Sequence, residues 1–76
     1  MKLVFTAHAR YRMGLRGISE DMVGQAIDQP DRRGHGYGGR ELAFKRVGQE
    51  TLKVVHVLER DTRVIITVMW EYPEEG

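Results

Sequence analysis

His8, Arg12 and Arg16 recur every four residues near the start of the chain. On a helix that spacing lines up one imidazole and two guanidinium groups along a single ridge. Guanidinium forks bind phosphate oxygens in pairs, and histidine gives or takes a proton near neutral pH, so the ridge has the chemistry of a phosphate reader. A solvated, charged helix face is the plain alternative. His56 stands in a different setting, alternating with Leu52, Val54 and Leu58. That makes it a hydrogen-bonded core residue unless the fold brings it to the first helix. Arg32, Arg33 and Arg40 flank a run of glycines, Gly34-His35-Gly36-Tyr37-Gly38-Gly39, where basic side chains and backbone amides together suit an anion. The run spells G-x-G-x-x-G, yet the dinucleotide fingerprint needs a strand before it and a helix after it. Here a helix-stopping Pro30 precedes it and a strand-like segment follows, so no dinucleotide is expected. The three histidines share no ligand-like spacing and have no cysteine beside them; no metal and no cofactor is expected.

These side chains depend on elements that the pattern predicts in turn. Lys2-Leu3-Val4-Phe5 reads as a short opening strand. Thr6 caps a helix over Ala7 to Leu15, and Gly17 ends it in a left-handed conformation. Its face of Ala7, Tyr11, Gly14 and Leu15 is expected to pack on the sheet. Ser19 caps a second helix, with Glu20 and Asp21 in the first turn where carboxylates favour the positive helix end. Met22 stands where a capping box has Glu or Gln. Met22, Val23, Ala26 and Ile27 form the apolar stripe of this helix, and Pro30 stops it at Asp28 or Gln29.

A polar loop, Asp31 to Gly39, leads to three strand-like runs, Arg40–Val47, Thr51–Glu59 and Arg63–Trp70, joined by short hairpin-type turns. In the last run, Val64, Ile66, Val68 and Trp70 share one face by simple alternation. Ile65 and Met69 on the other face imply a doubly covered strand or a partner. The order β-α-α-β-β-β predicts an α+β fold with two helices packed on one face of a small antiparallel sheet. Residues 1–72 form one domain, and 73–76 a frayed acidic tail.

Composition narrows the classes. A chain of 76 residues without cysteine supports one domain and no disulfide. With 41% hydrophobic and 30% charged residues it falls among soluble globular domains. No run approaches the ~20 apolar residues of a membrane span, and the missing cysteines and signal-peptide core point to the cytoplasm. The net charge of +1 hides an uneven layout. Residues 1–19 carry Lys2, Arg10, Arg12 and Arg16 with no acid, whereas 71–76 carry Glu71, Glu74 and Glu75 with no base. Without that last segment twelve basic residues face eight acidic ones, a balance compatible with an anionic partner such as RNA.

The segment from His8 to Ser19, His-Ala-Arg-Tyr-Arg-Met-Gly-Leu-Arg-Gly-Ile-Ser, resembles the opening motif of domain-of-unknown-function family 4258, a family of small bacterial proteins. There too a valine-bearing helix and a Pro-Asp step follow, here Val23 and Pro30-Asp31, and strands similar to Leu52–Leu58 and Val64–Trp70 close the domain. The family is distantly similar to BrnT and RelE type toxins, small ribonucleases neutralised by an antitoxin protein. That resemblance implies a RelE/BrnT-like fold, an RNA substrate, an antitoxin-like partner, and metal-independent RNA cleavage. In it His8 or His56 would serve as acid or base, Arg12 and Arg16 would hold phosphate, and Arg32, Arg33 and Arg40 would bind RNA. The other expectation is a non-catalytic protein-interaction module in which the ridge is structural.

Overall fold

A computed structural model describes residues 2–71, so the segment 73–76 expected to fray lies outside the described residues. The elements run β1 (Lys2–Phe5), α1 (Ala7–Arg16), α2 (Glu20–Asp28), β2 (Arg32–His35), a 3-10 turn (Tyr37–Gly39), β3 (Glu41–Val47), β4 (Glu50–Glu59) and β5 (Thr62–Glu71). The fold is α+β, but with one strand more than the pattern predicts and with a mixed sheet. The strand order is β1-β5-β4-β3-β2; β1 pairs with β5 in parallel and every other pair is antiparallel.

The extra strand, β2, lies inside what reads as a glycine loop. Arg32-Arg33-Gly34-His35 has little strand propensity of its own, and tertiary pairing with β3 supplies what propensity lacks. The Asp31 N–H donates to the Phe44 carbonyl and the Gly36 N–H to that of Arg40, each at 2.8 Å. Asp31 Oδ2 also accepts the Arg46 N–H at 2.7 Å, which pins the start of the strand. Gly38 and Gly39 both turn with positive φ, 69° and 78°, a conformation that closes the hairpin at no steric cost only for glycine.

Both helices begin at the side-chain caps expected of them. The Thr6 hydroxyl accepts the Ala9 N–H and donates to the Ile66 carbonyl, tying the start of α1 to β5. Ser19 accepts the Met22 N–H, while the Ser19 N–H donates to the Met22 sulfur at 3.4 Å. A thioether thus takes the place of the Glu or Gln in the capping box.

The face of α1 that packs is not the expected one. Ala9 and Met13 are buried, whereas Tyr11 and Leu15 are 65% and 60% exposed. Thr6 fixes the roll of the helix, and that roll turns Ala9 and Met13 onto β5. Together with Ile18, Val23 and Ala26 they bury against Ala43, Leu52, Val54, Ile65 and Val68. Each fully buried Val, Leu or Ile contributes about 1.5–3 kcal/mol.

Simple alternation also fails along β5. Val55 pairs with Thr67 and His56 with Ile65, leaving Ile66 as an extra residue in a β-bulge. The bulge reverses the phase of the strand. Ile65 joins Val68 and Trp70 on the helix-covered face, and it is completely buried there. The expectation that Ile65 lies opposite Val68 is corrected accordingly. Arg63 turns inward with it.

Candidate active site

Cross-strand register assembles a polar row on the helix-covered face. His35 of β2 pairs with Glu41 of β3, and Glu41 pairs with His56 of β4. Adjacent strands lie about 4.8 Å apart, so His35 and His56 flank Glu41 across roughly 10 Å. Arg63 of β5 completes the row from the far side. These four residues line a cleft of about 760 Å³, together with Arg33 of β2, Leu3 of β1, and Gly24, Ile27 and Asp28 of α2.

Arg63 joins Glu41 and His56. Arg63 Nη1 donates to Glu41 Oε2 at 3.1 Å and to His56 Nδ1 at 3.2 Å. His56 is only 5% exposed, and the Arg63 side chain 14%. The Arg63 Nε–H is buried without a partner among the described residues, a cost that a structure carries where the guanidinium is needed. Burial holds the His56 imidazole below its ordinary value of 6.5; the Arg63 and Arg33 cations act in the same direction and the Glu41 carboxylate opposes them. His56 is therefore neutral at neutral pH. Such a row can accept a proton at a carboxylate, hydrogen-bond an oxyanion, and supply positive charge in a partly desolvated setting.

The residues singled out by the sequence do not all meet here. His56 and Arg33 line the cleft; His8, Arg12 and Arg16 do not. The ridge they form runs along β5: Thr6, at the start of α1, bonds to Ile65 and Ile66, while the Arg16 carbonyl accepts the Trp70 indole N–H at 3.1 Å. Trp70 lies about 20 Å along the strand from Arg63. Arg16 is thus at the opposite end of the sheet from the cleft. His8 and Arg16 are exposed and Arg12 is half-buried. Among the described residues none of the three forms an ion pair, whereas Arg10 pairs with Glu20. Arg32 points to the other sheet face, where it stacks 3.8 Å from the Phe44 ring and pairs with Glu71 at 3.6 Å. Arg40 is exposed beyond the 3-10 turn.

Three members of the row, His35, Glu41 and Arg63, carry no role in the sequence reading. His35 is hidden in the glycine run and Arg63 by the bulge. Glu41 had a usable signal, since it shares a strand face with Ala43 and is the one acid in the stretch that carries Arg32, Arg33, Arg40, Lys45 and Arg46. Among the described residues no group of three or more His, Cys, Asp or Glu is placed to hold a metal ion, and no helix is long and apolar enough to cross a membrane.

The family model described as Domain of unknown function (DUF4258) matches residues 5–70, which span all of this architecture from the end of β1 to Trp70. Comparison with curated proteins and with solved structures gave no match.

Proposed function

The chain belongs to the DUF4258 family, and from the polar row of its cleft we propose that it binds RNA there and cleaves it by acid–base transfer of the phosphodiester. The observation that carries this reading is the in-register row His35–Glu41–His56 with Arg63 bridging its last two members. A phosphate seated between the two imidazoles has a carboxylate beneath it and Arg33 beside it. Glu41 takes the proton of the 2′-hydroxyl as the 2′-oxygen bonds to phosphorus. The bond from phosphorus to the 5′-oxygen breaks, and His35 in its protonated form gives that oxygen a proton. The products are a 2′,3′-cyclic phosphate and a free 5′-hydroxyl. Arg33 and Arg63 offset the charge that builds on the phosphoryl oxygens. The ridge of α1 extends the basic surface away from the cleft and holds flanking phosphates.

Full-length protein incubated with labelled single-stranded RNA in EDTA is expected to yield cyclic-phosphate ends and to leave DNA of the same sequence intact. Glu41→Gln and His35→Ala are each expected to slow cleavage by about 10²–10⁴, the usual contribution of a general acid or base. RNA left whole and unbound by the wild-type protein would overturn the reading and point to a protein-interaction module with an antitoxin-like partner.

A further inference from the structure

We infer that Arg63 is a positioning residue that holds His56 as the neutral Nε2–H tautomer, so that His56 serves the cleft as a hydrogen-bond donor and leaves proton acceptance to Glu41. A guanidinium has five N–H donors, no acceptor, and no accessible deprotonated form. The 3.2 Å contact between Arg63 Nη1 and His56 Nδ1 therefore has one polarity: Nη1 donates and Nδ1 offers its lone pair. The single imidazole proton then resides on Nε2. The two Nη1 hydrogens are fully used, one by Glu41 Oε2 and one by His56 Nδ1. A doubly protonated imidazole would set its Nδ1–H against the Arg63 N–H and add a cation beside Arg33.

The groups that face His56 weigh the same way. Arg63 on β5 and Arg33 on β2 disfavour a second proton, and Glu41 on β3 favours one while sharing its Oε2 with Arg63. Asp28 of α2 and His35 of β2 line the same cleft. Burial adds to the two cations. An Nε2 that carries the proton has no lone pair with which to take one from a 2′-hydroxyl. His56 can instead donate to a phosphoryl oxygen. That role rests on the RNA reading of the cleft; the tautomer does not.

Long-range nitrogen–proton NMR of the imidazoles in the full chain, without RNA at neutral pH, tests the tautomer directly. The wild type is expected to show His56 with protonated Nε2 and bare Nδ1, in about tenfold or greater excess, as one hydrogen bond from a charged donor provides. Arg63→Gln, which retains an N–H donor, is expected to keep that pattern. Arg63→Met is expected to bring the two tautomers toward equal population and to raise the titration midpoint of His56. An Nδ1–H or doubly protonated His56 in the wild type overturns the inference, as does an unchanged spectrum in Arg63→Met. If Arg63→Met does not fold, the wild-type and Arg63→Gln spectra decide. An Nε2–H tautomer in a protein that neither binds nor cleaves RNA overturns the cleft reading and the donor role, and leaves the tautomer standing.

Discussion

Protonating His56 means displacing the Arg63 N–H from Nδ1 and placing a positive charge beside a guanidinium at a buried position in the cleft wall. Folding therefore favours the neutral imidazole, and its proton affinity falls below the unfolded value of 6.5. The sign follows from linkage: below 6.5 the unfolded chain binds the proton that the folded one resists, so stability rises with pH across that range. The stabilisation from the neutral imidazole is complete above 6.5 and is lost as pH falls through the lower, folded value. Thermal unfolding followed from pH 8 down to pH 5 is expected to show a decline that begins near 6.5. In His56→Asn, whose amide oxygen can still accept from Arg63 but does not titrate, that part of the decline is expected to vanish. A wild-type profile flat across the interval would show that His56 keeps its ordinary affinity. At this scale the sequence is least informative, because His56 gains its character from Arg63, seven positions later in the chain.

Helix α2 is the element that walls the cleft, and Gly24, Ile27 and Asp28 are the residues it brings there. A Cβ at Gly24 meets only Leu3 Cδ1, at an ordinary 3.9 Å. Gly24→Ala is therefore expected to stabilise the protein by about 0.5–1 kcal/mol through helix propensity, read as a higher denaturation midpoint. Gly24→Leu, by contrast, fills the cleft without altering any member of the polar row, and it is expected to weaken RNA binding while the His56 tautomer is unchanged. Equal binding by the two variants would place RNA elsewhere. Both helices were legible in the sequence, because Thr6, Ser19, Gly17 and Pro30 are local stop and start signals whose physics needs no distant partner. Strands β3, β4 and β5 were legible to within a residue or so, from apolar runs between polar turns. The strand β2 was not, since Arg32-Arg33-Gly34-His35 becomes a strand only by pairing with β3. The packing face of α1 was also misread. Ala7, Tyr11 and Leu15 satisfy helical spacing as well as Ala9 and Met13 do, and only the tether from Thr6 to β5 chooses between them.

Across the whole molecule, positive charge is split between a cleft at one end of the sheet and a ridge that runs toward the other. Single-stranded RNA should feel both through its phosphates, and each neutralised phosphate contributes about 0.7 to the slope of log affinity against log salt. Arg33→Ala is expected to lower affinity and to flatten that slope by about one such contact, and Arg12→Ala with Arg16→Ala by up to two. Only Arg33→Ala should also slow cleavage. Isotherms unchanged by either substitution would remove the surface from consideration. The bulge at Ile66 has a consequence for how such molecules diverge. Arg63 and Val68 face the same side although their positions differ by five, an odd offset that an unbroken strand forbids. Arg63 is thus brought to the cleft side by parity, and its bonds to Glu41 and His56 hold it there. Slip of β5 by one residue would send the guanidinium to the opposite surface with every polar residue of the row still encoded. In this fold an apolar stretch of sequence, by its length alone, decides whether the charged residue ahead of it is at work or idle.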